Sequence, residues 1–287
     1  MKKIVWLLSL CFVFIAGCGA ASEEPFTVAV IPAQTIGEME VGLEKLDAEL
    51  TEKLNRDVEI ELYPNYNAVV EALNYNQIDL AFLGPVTYLI AKEQSGAQAI
   101  VTQLIDGEPF YYSYMITHVD NEWNSLEDII ADQASIDFAF GSPASTSGHL
   151  IPGVELSRHD VYFSEDDHKF ESVRYTGSHD ITAQQVQDNM VDVGAIDSAI
   201  YHELVAEGVI DESQIKIIWT SEQLYQYPWT VSGTTDEETI QALQEAFVGI
   251  TDQEILSIFG GASAFVEADD SNYQNVYEAA KEFGMLE

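Results

Sequence analysis

The chain has 287 residues, with 49 acidic against 11 basic side chains and a formal net charge of −38. Nucleic acid and anionic lipid headgroups are poor partners for such a surface. The acids are scattered through amphipathic segments and form no tail, so they describe a heavily solvated exterior.

Lys2 and Lys3 precede an apolar run from Ile4 to Ala16, and Ile15, Ala16, Gly17 and Cys18 resemble a bacterial lipoprotein processing box. A run this short, with basic residues before it and small residues after it, reads as a signal peptide and not as a membrane span. Residues 1–17 are thus expected to be removed, Cys18 to carry lipid, and 18–25 to form a tether at the outer face of a membrane. Cys11 leaves with the leader, so the mature chain holds no free thiol and no disulfide, and stability must come from buried cores. Roughly 270 mature residues suffice for one large or two medium domains.

FTVAVIPA, from Phe26, reads as a buried strand, and Met39, Leu43, Leu46, Leu50 and Leu54 follow with helical spacing. Val58, Ile60 and Leu62 alternate as a strand, and Asn67 to Tyr75 reads as the next helix. The aromatic run PFYYSYMITH, Pro109 to His118, is expected to carry the chain out to a second lobe, and IKIIWTSEQ, Ile215 to Gln223, to bring it back. A helix through Ile240, Leu243 and Phe247 and another around Asn272 to Met285 are both expected to pack on the first lobe. Alternation of strand and helix predicts an α/β protein with helices flanking mixed, mostly parallel sheets. The expected division is 26–115 with 220–287 as lobe 1, and 116–219 as lobe 2.

An internal echo supports two similar lobes. NQIDLAFLGPVTY, Asn76 to Tyr88, aligns without a gap to NMVDVGAIDSAIY, Asn189 to Tyr201. Each copy follows a helix and ends a strand, and ligands of open α/β sheets bind outside the carboxyl ends of strands. The loops at Gly84 to Tyr88 and Asp197 to Tyr201 are therefore expected to face one cleft.

GSPASTSGHLIP, Gly141 to Pro152, lies where the strand Ala134 to Phe140 passes into a helix. The N–H groups of a helix's first turn and the helix dipole favour an anion there. Ser145, Thr146 and Ser147 would add three hydroxyl donors without formal charge. A serine N-cap in a polar loop is the competing reading.

With IPAQ at Ile31 to Gln34, GPVTY at Gly84 to Tyr88, STSG at Ser145 to Gly148 and GSHD at Gly177 to Asp180, the chain resembles the solute-binding components of ABC importers for phosphonates and phosphite. The resemblance covers essentially the whole mature chain. It implies a two-lobed type II periplasmic-binding-protein fold that closes over a small phosphorus oxyanion, such as phosphite or methylphosphonate, and docks on a permease driven by an ATPase. It also implies a gripping role for Ser145, Thr146, Ser147 and His179, with Tyr66 and Tyr88 lining the opposite lobe. No catalysis, cofactor or metal is expected, and the protein is expected to be a monomer.

Asp197 ends the second repeat strand, where it caps the following helix or meets a proton of the ligand. Family members that bind aminoethylphosphonate place carboxylates around the amine, one of them near the loop after the returning strand. Here that loop reads QLYQYPW, Gln223 to Trp229, without an acid, which favours phosphite, a small alkylphosphonate or phosphate over an aminoalkyl ligand. His118, His149, His159, His168 and His202 read as surface or packing residues. Two rival readings exist. Ser145 or Ser147 with His179 and Asp197 superficially forms a hydrolase set but lacks a nucleophile elbow. HDVYFSEDDH carries oxygen and imidazole ligands without fixed metal-site spacing.

Overall fold

A computed structural model describes residues 24–34 and 36–287. The leader and Cys18 lie outside the described residues. Among the described residues, no helix is long and apolar enough to cross a membrane.

Two mixed sheets organise the chain. The first orders its strands as Ala264–Glu267, Gln98–Leu104, Pro228–Val231, Leu80–Phe82, Phe26–Val30 and Val58–Leu62. The second orders them as Ser172–Tyr175, Asp137–Phe140, Val193–Asp197, Ser113–His118 and Ile215–Thr220. Each sheet has a parallel part and an antiparallel strand set between its neighbours, Pro228–Val231 in the first and Ser113–His118 in the second, and the first adds an antiparallel edge strand, Ala264–Glu267. Both inserted strands adjoin the crossings between lobes.

Helices cover both sheets. In Ile36–Leu54 the predicted stripe holds, with Met39, Leu46 and Leu50 buried and Leu43 and Leu54 packed against the core. Trp229 is fully buried against Phe82, Phe247 and Phe259, so the strand Pro228–Val231 is anchored in the first lobe.

The crossings differ from the sequence expectation. The run Pro109 to His118 is not one strand: Phe110–Tyr111 pairs with Leu224–Tyr225 in a short ribbon, and Ser113–His118 enters the second sheet. Ser113 to Met115, assigned above to lobe 1, therefore lie in the second sheet, as does all of Ile215–Thr220. Backbone and hydroxyl bonds between Ser113 and Ser221 mark the crossing point. The alternating apolar pattern continues through Tyr112, so periodicity could not locate this break.

The terminal helix Gln274–Glu282 also departs from expectation, because it spans the lobes. Beyond it Phe283 meets Tyr162 and His149 of the second lobe, and Arg158 binds Glu282 through both Nε and Nη2, at 2.9 and 2.7 Å. Gly153 leaves room for this ring, since a Cβ there would lie 2.9 Å from Phe283.

Candidate ligand cleft

The strand Asp137–Phe140 ends at Gly141, whose N–H reaches back to Gly148 O at 2.9 Å. The chain then enters helix Ile151–Arg158 through a π-helical turn, Thr146–Leu150, in which Leu150 N donates to Ser145 O. Such wide turns recur at functional sites, and this one carries Thr146 and Ser147 themselves. Ser145 Oγ accepts from Gly148 N at 3.0 Å, so the N-cap reading of Ser145 is correct for that atom. Gly148 is required by close approach: a Cβ would stand 2.9 Å from Ser145 Oγ and 3.0 Å from the His179 ring.

His179 opens helix His179–Gln187 after Gly177, whose φ of 92° suits glycine. Its Nδ1 accepts the backbone N–H of Asp197 at 3.2 Å. Burial pushes the imidazole down to about 3, so the ring is neutral and its proton sits on Nε2. That nitrogen faces Ser145 Oγ and Tyr227 OH, each at 3.4 Å. The neighbouring strand thus fixes the tautomer, leaving one N–H aimed among hydroxyls.

Around this nitrogen the fold gathers Ser145, Thr146, Ser147, Tyr66, Tyr111, Tyr227 and Asp197, all essentially buried. Tyr66 lies near Ser145, while Tyr111 lies near Ser147 and Thr146. Yet the hydroxyls of Tyr66, Tyr111 and Ser147 close no hydrogen bond. Buried polar groups are normally paired, so three orphans in one place mark a space built for an acceptor-rich guest. Burial holds all three phenols well above the usual range, and they remain donors.

Asp197 caps the following helix, the first of its two sequence readings. Its Oδ1 caps the helix Ser198–Ala206 by accepting from Ala199 N and Ile200 N, at 2.7 and 3.2 Å. Burial pushes its carboxyl up to about 7, against the pull of those N–H groups and of the nearby Tyr227 and Ser147 hydroxyls. A carboxyl poised there can present a proton to an anion or accept one from it.

Tyr88 requires correction. Although it is fully buried, its ring packs at a tilt against Tyr273 and its hydroxyl donates to Asp270, which also binds Lys92. It sits a turn into helix Pro85–Ser95 and lies away from the hydroxyl cluster. The GPVTY loop contributes its backbone instead, with Val86 N donating across the cleft to Thr146 Oγ1 at 2.9 Å. His179 N to Ala33 O, 3.0 Å, and Gln34 Nε2 to Glu203 Oε2, 2.7 Å, also join the lobes, so the cleft is closed.

Tyr111 and Tyr227 join the buried cluster without having been singled out in the sequence. Tyr111 lay in the outward crossing and Tyr227 in the loop Gln223 to Trp229, which was read for its missing acid and not for its tyrosines. Among Tyr111, Tyr112 and Tyr114, spacing could not say which ring turns inward. The packing histidine reading suits His149, which bonds Pro143 O, Tyr162 OH and Tyr175 OH. HDVYFSEDDH forms a largely exposed hairpin, and no described cluster of three or more ligand-type side chains could hold a metal ion.

Residues 28–273 match the family model for the ABC transporter, phosphonate, periplasmic substrate-binding protein. The chain belongs to this family. Across its whole length it is 24% identical to the probable ABC transporter phosphite binding protein PhnD1 of Prochlorococcus marinus, covering 99% of that protein. It is 25% identical to the phosphate-import protein PhnD of Mycolicibacterium smegmatis, over 83% of this chain and 78% of the relative. The structure of Prochlorococcus PhnD1 in complex with methylphosphonate superposes with a TM-score of 0.80 at 23% identity, covering 91% of this chain and 98% of the other. The fold is therefore that of type II periplasmic binding proteins, and the relatives are transport proteins, which places this family member outside the cytoplasm.

Proposed function

We propose that the chain captures a small phosphorus oxyanion, phosphite or a short alkylphosphonate, between its lobes and delivers it to an ABC permease without chemical change. The observation that carries this reading is the set of orphaned donors, Tyr66 OH, Tyr111 OH and Ser147 Oγ, around the Nε2–H of a neutral His179. No lysine or arginine belongs to that set, so the cradle is made of neutral dipoles. Hydrogen bonds to an ionised acceptor contribute about 1.5 to 3 kcal/mol each. Four such bonds, together about 6 to 12 kcal/mol, exceed a binding cost of at least about 4 kcal/mol and at their stronger end reach micromolar affinity.

Closure follows if the anion binds the closed form preferentially, because it joins donors from both lobes. Tyr66 belongs to the first lobe and Ser147 and His179 to the second, so only the closed cleft offers the full set. The protein acts as a monomer held at the outer membrane surface through lipid on Cys18, and the closed form is what the permease reads. Phosphate is the alternative ligand, supported by the carboxyl of Asp197, which can accept the proton of a P–OH group. Aminoethylphosphonate is disfavoured, since Tyr227 occupies the loop where family members place an acid. Calorimetry against phosphite, methylphosphonate, phosphate and aminoethylphosphonate tests the reading. Micromolar or tighter binding of phosphite or methylphosphonate is expected, and failure of all four to bind would refute it.

A further inference from the structure

Beside the hydroxyl cluster lies a small cavity. It measures about 20 Å³, room for a group the size of one water, and is bounded by Asp197 and Tyr227 on the side of the cluster. Met39, Phe82 and Phe259 make its walls largely apolar. Gln103 and Gln226 also line it, and Gln103 Nε2 donates to Gln226 Oε1 at 3.1 Å. That bond uses only half of each amide. Gln103 Oε1 and Gln226 Nε2 are left without a partner in residues that are 4% and 1% exposed.

Turning both amides end for end leaves the same inventory of one carbonyl oxygen and one N–H pair, so the conclusion does not depend on which way they are placed. A buried amide half is costly to leave unmade, and a guest that satisfies both halves must donate once and accept once. A hydroxyl does this. A methyl group satisfies neither half, an ammonium leaves the Gln226 N–H opposed by another donor, and a carboxylate leaves the Gln103 oxygen opposed by acceptors and adds charge beside Asp197.

We propose that this cavity is the subsite for the substituent on phosphorus, and that it selects a one-carbon substituent ending in a hydroxyl. The O–H donates to Gln103 Oε1 and the oxygen accepts from Gln226 Nε2, while the carbon lies at the end of the cavity that Asp197 and Tyr227 bound. The inference rests on the oxyanion reading of the adjoining cluster, and it makes Gln103 and Gln226 specificity-determining residues.

The test is calorimetry with hydroxymethylphosphonate, ethylphosphonate, in which a methyl replaces the hydroxyl, and phosphite, which has no organic substituent. Wild-type protein is expected to prefer hydroxymethylphosphonate over ethylphosphonate by at least about tenfold, as sites built to bond a hydroxyl reject its apolar isostere. In Gln103→Leu/Gln226→Leu the ratio is expected to fall to one or to invert. A wild-type ratio of one or below, or a ratio that survives in the double variant, would overturn the subsite. If the double variant does not fold, Gln226→Met and the wild-type ratio decide. Phosphite separates the two levels: if it binds while the ratio is one, only the subsite falls, whereas if none of the three anions binds, the oxyanion reading fails and takes the subsite with it.

Discussion

In the first lobe, Asn76 turns the chain at φ 52°, Asp79 N donates to Thr27 O, and Asp79 Oδ2 accepts from Thr27 N. In the second, Asn189 turns at φ 54°, Asp192 N donates to Asp137 O, and Asp192 Oδ2 accepts from Asp137 N. The echo in the sequence is thus a repeated device that ends a helix and clamps the next strand. The copies part at the residue that starts the following helix, Gly84 in one and Asp197 in the other. Asp197 caps its own helix, while Gly84 has no side chain to do so. The Val86 N–H beyond Gly84 is met by Thr146 from the opposite lobe. One jaw is therefore finished within its lobe and carries a titratable group, whereas the other is finished only when the cleft shuts.

Removing the donors of the second jaw should have the largest effect. Ser147→Ala with His179→Ala removes two bonds to an ionised acceptor, so oxyanion affinity is expected to fall by roughly 3 to 6 kcal/mol. Circular dichroism should show the fold intact, and calorimetry showing wild-type affinity would contradict the cradle.

Making the jaws alike by Gly84→Asp should act next. The backbone there, φ −74° and ψ 160°, accepts any residue, and the nearest atoms to an added Cβ lie at 3.7 Å. A second carboxylate near Thr146 is expected to weaken binding of a dianion about tenfold while the new cap leaves melting temperature equal or higher. Tighter binding would show that the first jaw has no need of an uncharged end.

Asp197→Asn should change pH dependence more than its magnitude at any one pH. The folded carboxyl, at about 7, lies above its ordinary 3.8, so protonation favours the folded state. Its contribution is full below about pH 4 and is lost as pH rises through about 7, a span worth a few kcal/mol. Glu203, pushed up to about 8 by burial, titrates in the same sense and remains in the variant. Melting temperature of the ligand-free protein is expected to fall with rising pH in the wild type and less steeply in Asp197→Asn. Parallel curves would exclude Asp197 as the titrating group.

Tyr88→Phe should have the smallest effect on binding. The hydroxyl it removes serves Asp270, so a modest loss of stability is expected with oxyanion affinity within about twofold. A tenfold loss of affinity would return Tyr88 to the cleft.

Much of this was written in local pattern. The stripe from Met39 to Leu54, the strand Val193–Asp197 and the N-cap at Ser145 depend on neighbours within a few residues, and periodicity and capping chemistry report such neighbours directly. The repeat also survived in the residues that make its turn and clamp. The family motifs marked loops that the fold brings together, but a motif does not say which way a ring faces. Tyr88 shares a conspicuous loop with Gly84 yet turns to Asp270, while Tyr111 from the outward crossing and Tyr227 from the loop after the returning strand turn inward.

By itself the sequence determined the α/β alternation, the two copies of one strand-to-helix device, the acidic exterior and the hydroxyl-rich turn at Ser145 to Ser147. Each is a property of consecutive residues or of bulk composition. Only the tertiary structure decided that Tyr66, Tyr111, Ser147, His179, Asp197 and Tyr227 share one buried space, that His179 keeps its proton on Nε2, and that the terminal helix bridges the lobes. Those facts depend on groups far apart in the chain losing water together, and no local spacing records which of them meet.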